Sequence, residues 1–107
     1  MIVKTLLDKT AQTSTVDGET FSIHMPKSNR GIVMVQGANY NSISAVKFRI
    51  QGRLSSDMTF VNIANGSIDQ NANGTTAVED IQLYPEMRAI VSTFTGTSAD
   101  LLVQLGC

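Results

Sequence analysis

The feature that most constrains the fold of this chain is the alternation of apolar and polar residues along short segments, with no stretch that shows helical spacing. Residues 19–25 place Phe21, Ile23 and Met25 on one side and polar residues on the other. Residues 45–50 alternate in the same way. This period of two predicts β-strands that bury one face and expose the other to solvent.

Other apolar segments complete a set of roughly seven to nine short strands, separated by clusters of Gly, Asn, Asp and Ser. Residues 31–36 and 87–94 are apolar on both faces, which is typical of central strands. The remaining predicted strands are residues 2–7, 58–64, 77–83 and 99–105. Strands of this length and spacing predict an all-β fold, an antiparallel β-sandwich of jelly-roll type formed by residues 1–107 as a single domain.

An irregular segment is predicted at residues 63–76, where Gly, Asn and Ser accumulate. Its two Asn-Gly steps, at residues 65–66 and 73–74, predict turns, and its length predicts a mobile loop. The core is predicted from the inward positions of the alternating strands and from apolar positions of the central strands. It comprises Phe21, Ile23, Val33, Val35, Val46, Phe48, Ile50, Val61, Ile63, Ile90, Val91, Leu102 and Val103.

The composition predicts a polar surface with few charges. Charged residues make up 16% of the chain, against about 25% in typical globular domains. The net charge of −1 gives no basic surface of the kind that binds nucleic acid, and no apolar stretch approaches the roughly 20 residues of a membrane-spanning helix. Lys4 and Asp8 interrupt the apolar N-terminal run, unlike in a secretory signal. We therefore expect synthesis in a cytoplasm and no nucleic-acid or membrane partner.

No arrangement of reactive residues in the sequence predicts catalysis. The only histidine, His24, falls on the outward face of its predicted strand, and the only cysteine is Cys107. A zinc site needs several such ligands close together. Residues 69–74 resemble the start of a calcium-binding loop, but the glutamate at its twelfth position and the flanking helices are missing, which favours a plain loop. We expect no catalytic residue, no cofactor and no bound metal.

Two segments carry a resemblance to a class of virus proteins. In residues 46–63 a strand ends in Gln-Gly-Arg-Leu-Ser-Ser-Asp (51–57) and turns into a strand that bears Phe60. Residues 83–91 read Leu-Tyr-Pro-Glu-Met-Arg-Ala-Ile-Val, and Thr-Gly-Thr (95–97) leads into a last strand. The pattern resembles small β-sandwich domains in virion structural proteins of tailed bacteriophages, although Phe60 stands where such domains often carry Trp.

The resemblance implies a non-enzymatic capsid decoration or cement protein that binds between major capsid subunits and stabilises the shell. It implies the major capsid protein as partner, a homotrimer, and a location on the capsid surface after synthesis in the host cytoplasm. The low charge agrees with this role, because protein interfaces are depleted in Lys, Glu and Asp. The strand propensity of Thr explains the same composition equally well.

A possible partner interface is predicted at the N-terminal residues Ile2, Val3, Leu6 and Leu7. They form either an ordinary strand of this domain, which is the favoured interpretation, or an arm that adds to the sheet of a neighbouring molecule.

Two other functions remain open. A carbohydrate- or receptor-binding module of a phage tail or fibre would expose aromatic residues such as Tyr40 and Tyr84 together. A small hydrolase would require two carboxylates paired in a cleft. The candidates for that pair are Asp57, Asp69, Asp80 and Glu86.

Overall fold

The computed structural model describes all residues, 1–107, and consists of β-strands without any helix. Strands account for 67% of the chain. None of its segments is a helix long and apolar enough to cross a membrane. The strands are β1 (Val3–Gln12), β2 (Val16–Asp17), β3 (Phe21–Ser22), β4 (Arg30–Asn41), β5 (Ala45–Arg53), β6 (Val61–Asp69), β7 (Gly74–Gln82), β8 (Glu86–Thr95) and β9 (Ser98–Gly106).

The strands form two antiparallel sheets that pack against each other. The front sheet has the order β1-β9-β4-β7, and the back sheet has the order β2-β8-β5-β6. The short strand β3 also pairs with β8, so β2 and β3 are two pieces of one interrupted strand. Counted as eight strands, the sheets then read 1-8-3-6 and 2-7-4-5, which is the order of two Greek keys wound into a jelly roll. The predicted fold class is confirmed.

The core lies between the sheets and follows from the alternation of the central strands. In β5 the side chains of Val46, Phe48 and Ile50 are fully buried, whereas Lys47 and Arg49 between them are only partly covered. Each such buried side chain contributes roughly 1.5–3 kcal/mol of hydrophobic stabilisation. The predicted core positions that are confirmed as buried are Ile23, Val33, Val35, Val46, Phe48, Ile50, Ile63, Val91 and Val103, with Phe21 half-buried against them.

Three predicted core positions are wrong. Leu102 and Ile90 belong to strands that are apolar on both faces, and in each strand the opposite phase faces inward. In β9, for example, Leu101 and Val103 are buried. Val61 begins the edge strand β6 and is 50% exposed. Periodicity could not choose between the two faces of β8 and β9, because both faces of these strands carry apolar residues.

The strand predicted at residues 19–25 is also shorter than expected. Only Phe21–Ser22 pairs with β8, and Ile23 donates a backbone hydrogen bond to the Pro85 carbonyl outside the ladder. Just upstream, Gly18 approaches β8 so closely that an added Cβ would lie 2.2 Å from the Ala89 carbonyl oxygen. The chain therefore runs along the edge of β8 in separate short contacts instead of forming one continuous strand.

The prediction of an irregular, mobile loop at residues 63–76 is wrong. Strand β6 continues to Asp69 and β7 begins at Gly74. The step Asn65-Gly66 is not a turn but part of a bulge inside β6, since Arg49 pairs with Ser67 while Gln51 pairs with Asn62. Asn65 adopts a φ of 65°, a left-handed conformation that asparagine tolerates better than most residues. The second step, Asn73-Gly74, lies at the end of the turn between β6 and β7, as predicted.

Polar side chains hold this β6–β7 turn in place as it crosses from the back sheet to the front sheet. The Asn71 Oδ1 atom accepts a hydrogen bond from the Val46 backbone N–H at 3.1 Å, and Asn73 Oδ1 accepts one from the Tyr40 N–H at 3.0 Å. The Tyr40 hydroxyl donates to the Gln70 carbonyl at 2.6 Å. The oxygens that suggested a calcium loop are therefore engaged in bonds within the fold.

Candidate functional site

The structure places the candidate catalytic residues in three separate parts of the fold. Asp69 forms an ion pair with Lys47 and Asp80 forms one with Arg30, both at 3.7 Å, on different strand pairs. Glu86 is engaged by a third cation, and Asp57 is exposed in the β5–β6 turn. His24 is exposed, and no group of three or more His, Cys, Asp or Glu side chains is arranged to hold a metal ion. Of the four candidates, only Asp57 and Glu86 lie near a common cavity, beside Arg53, and Glu86 is held there by its ion pair with Arg53.

The two tyrosines that a carbohydrate platform would require lie at opposite ends of the sandwich. Tyr40 is half-buried beside the β6–β7 turn, where its hydroxyl donates to the Gln70 carbonyl. The Gln70 backbone N–H donates in turn to the Val46 carbonyl, which places Tyr40 near the start of β5. Burial raises the pKa of Tyr40, so its hydroxyl stays protonated and keeps its donor role. Tyr84 packs on Gly52 near the end of β5, where an added Cβ would lie 2.5 Å from its ring. The six residue steps from Val46 to Gly52 along β5 correspond to about 20 Å.

The predicted N-terminal interface is divided between the surface and the core. Ile2 and Val3 are 53% and 60% exposed, but Leu6 and Leu7 are buried at 2% and 3%. Two consecutive leucines can both face inward because the register with β9 shifts between Thr5 and Leu7, which marks a β-bulge. The segment is thus an ordinary strand of this domain, and of the four predicted residues only Ile2 and Val3 lie on the surface of the chain, where a partner would meet them.

The outer side of the front sheet forms a surface without charged residues at its centre. Inward-facing Val33 and Val35 leave Met34 on the outside, where it pairs in register with Gln104 of β9 and Ala77 of β7. Met34 is 46% exposed. We call this surface the front face. It consists of Val3, Thr5, Asp8, Ile32, Met34, Gln36, Ala77, Leu102 and Gln104, all on the outward side of the register, with the charged Asp8 on the edge strand β1.

One end of the front face is held by a hydrogen-bonded carboxylate. Asp100 accepts hydrogen bonds from the Ala11 backbone N–H at 2.8 Å and from Asn39 Nδ2 at 2.7 Å. Ala11 and Asn39 both have positive φ and lie where the register shifts in β1 and β4. These two hydrogen bonds lower the pKa of Asp100, the backbone bond most strongly. The carboxylate thus ties two irregular strand ends to β9.

A second surface lies on the back sheet around Phe60. The guanidinium carbons of Arg53 and Arg88 each lie 4.3 Å from the centre of the Phe60 ring. Beside them is an open cavity of about 580 Å³ that also touches Thr20 and Thr59. We call this cavity the Phe60 cleft. Sequence reasoning missed it, although Arg53, Phe60 and Arg88 all lie in the two segments that carry the resemblance.

These two surfaces are the candidate functional sites of the chain. Comparison of the chain with models of protein families, with curated proteins and with solved structures found no match.

Proposed function

We propose that this chain is a non-enzymatic structural protein of a virion, which docks through the front face onto major capsid subunits and stabilises the shell. The supporting observation is the front face itself, an open sheet surface with exposed Met34 and Val3 and no charge at its centre. In this proposal the protein is made in the host cytoplasm and becomes part of the capsid surface.

The side chains of the front face suit contact with another protein. Apolar and amide groups cost little free energy when they leave water for a partner that offers matching apolar and hydrogen-bonding surfaces. Buried charges would require paired opposite charges on the partner. Methionine adapts its shape to irregular neighbours, which favours Met34 as a central contact. Gln104 donates to Thr5 across the surface at 3.2 Å, so part of its polar network is already satisfied.

The size of the front face favours docking by several copies together. Four strands spaced about 4.8 Å apart and roughly 26 Å long present on the order of 500 Å². This is less than the approximately 800 Å² that each partner buries in a typical stable protein interface. Linked copies gain affinity because the second and third contacts become intramolecular. A homotrimer placed at a threefold junction of capsid subunits would supply that linkage.

The fold supports the proposal at a general level. Jelly rolls occur in viral capsid proteins, but also in lectins, so the fold alone does not decide the function. The segments that resemble phage virion domains form β5, the β5–β6 turn and β8, which are neighbours in the back sheet. The last strand of the same pattern is β9, which contributes Leu102 and Gln104 to the front face.

The test combines oligomeric state with binding to capsid shells. Light scattering after size exclusion should give the mass of a trimer, and the protein should co-sediment with shells assembled from the major capsid protein encoded in the same genome. Met34→Lys should weaken co-sedimentation at least about tenfold, because it places an unpaired charge in the contact. Val61→Lys is the matched control, since Val61 is equally exposed on the other sheet.

Three results would refute this proposal. The first is a genome that encodes no major capsid protein. The second is a wild-type protein that stays in the supernatant when the shells are pelleted. The third is an equal loss of binding in Met34→Lys and Val61→Lys, which would show that the front face is not the contact.

A further inference from the structure

We propose that the Phe60 cleft binds the carboxylate of a small hydroxylated ligand, an acidic sugar, with Arg88 as the anchoring residue. The cleft lies on the back sheet, away from the front face, so this inference does not rest on the capsid role proposed above. In this proposal a carbohydrate binds in the Phe60 cleft and not at Tyr40 and Tyr84, which lie far apart.

Arg53 is paired with a carboxylate within the fold. Its Nε atom donates to Glu86 Oε1 at 2.7 Å, and its Nη1 atom donates to the Met58 carbonyl at 3.3 Å. The side chains of this ion pair are only 20% and 25% exposed. Arg53 therefore acts as a fixed part of the cleft wall, and Glu86 neutralises its charge.

Arg88, in contrast, is held in position but has no carboxylate partner. Its Nε atom donates to Gln51 Oε1 at 2.8 Å, and Gln51 Nε2 donates in turn to Asn62 Oδ1 at 2.8 Å. Its two Nη atoms donate no hydrogen bond within the chain, and because no unpartnered side-chain nitrogen is buried, they are open to solvent. The Phe60 ring fixes the guanidinium from a further side. A ligand would thus meet donors whose side-chain entropy is already restricted.

The charges of the cleft favour a carboxylate over a phosphate. A carboxylate matches the planar fork of a guanidinium with two parallel hydrogen bonds. Because Glu86 neutralises Arg53, the cleft keeps the unpaired positive charge of Arg88 and the negative charge of the exposed Asp57 at its rim. A second negative charge on the ligand would meet no further unpaired cation and would be repelled by Asp57. A ligand with one negative charge is therefore the best fit.

The lining of the cleft indicates that the rest of the ligand carries hydroxyl groups. Thr20, Ser56 and Thr59 line it, and their hydroxyls take part in no hydrogen bond within the chain. Such groups can both donate to and accept from sugar hydroxyls. The volume of about 580 Å³ lies within the range of small-molecule sites. A sugar acid offers the carboxylate and the hydroxyls together.

The experiment follows the arginine Nε–H signals of the full chain by ¹H–¹⁵N NMR during titration with simple probes. Glucuronate should shift the Arg88 signal to saturation, with a dissociation constant at least about tenfold lower than that of acetate. Glucose and inorganic phosphate should cause no saturable shift. Arg88→Gln should abolish glucuronate binding, while Arg49→Gln, which removes a charge from the same sheet face outside the cleft, should leave it unchanged.

The wild-type titrations decide the proposal even if Arg88→Gln does not fold. The absence of any saturable glucuronate shift overturns it, as does phosphate binding as strong as that of glucuronate. Acetate, or a Gly-Glu-Gly peptide, binding as tightly as glucuronate would show a general carboxylate site and would overturn the assignment to a sugar. Equal losses in Arg88→Gln and Arg49→Gln would overturn the assignment to the Phe60 cleft.

Discussion

The phase of β9 can be tested by truncating two adjacent leucines. Leu101 is 1% exposed in the core, whereas Leu102 points outward between Gln36 and Asp8 in the front sheet. Leu101→Ala removes a fully buried side chain and leaves a cavity, which costs about 2–5 kcal/mol of unfolding free energy. Leu102→Ala removes the same atoms from a half-exposed position, and we expect a loss of about 1 kcal/mol or less.

Urea unfolding followed by circular dichroism measures both losses. Since small domains have a total unfolding free energy of roughly 5–15 kcal/mol, the Leu101→Ala loss is large enough to shift the midpoint clearly. The slope of the transition should stay the same, because both variants expose nearly the same surface on unfolding. Equal losses, or a larger loss for Leu102→Ala, would refute the inward assignment of Leu101 and with it the front face.

Two further predictions concern hydrogen bonds at the ends of the sandwich. Tyr40→Phe should lower the unfolding free energy by about 1 kcal/mol, because it leaves the Gln70 carbonyl without its hydrogen bond from the Tyr40 hydroxyl. Tyr84→Phe is the control in the same urea assay, since the Tyr84 hydroxyl forms no hydrogen bond within the chain. Equal losses in the two variants would contradict the role assigned to the Tyr40 hydroxyl. The pKa of Asp100 is lowered in the folded state, so its hydrogen bonds to Ala11 and Asn39 stabilise the fold when the carboxyl is ionised. This stabilisation is complete above the unfolded-state pKa of about 3.9. It is lost as the pH falls through the lower folded-state pKa. The stability difference between the wild type and Asp100→Ala should therefore be constant near neutral pH and shrink in acid, and a difference that does not change with pH would exclude this linkage.

The architecture was predictable because strands with one polar face reveal their orientation in the order of residues. Along residues 45–50, charged Lys47 and Arg49 fix which side faces water, and the structure buries the alternate side chains as predicted. The separation of such segments by Gly and Asn clusters was enough to predict a β-sandwich. The local pattern does not decide the bulges, such as the one between Thr5 and Leu7, because they depend on pairing with a distant strand.

The candidate sites could be predicted only in small part. Of the four N-terminal residues predicted as an interface, Ile2 and Val3 are exposed, and the front face includes only Val3. The Phe60 cleft is assembled from the end of β5, the start of β8, the turn before β6 and Thr20, which precedes β3. Arg53 and Arg88 are 35 positions apart in the chain, and Thr20 and Arg88 are 68 apart. No local spacing marks such a set, because its members become neighbours only through the sheet order.

The amino-acid sequence by itself determined that this chain forms β-strands with a weakly charged surface, since alternation and composition act residue by residue. The tertiary structure decided which side of β9 faces the core. Both sides of this strand carry apolar residues that are favourable to bury, and only its register with β1 and β4 selects one of them. It also decided where Phe60 meets Arg53 and Arg88. Both outcomes depend on contacts between residues far apart in the chain, and free energy from such contacts is absent until the sheets have formed.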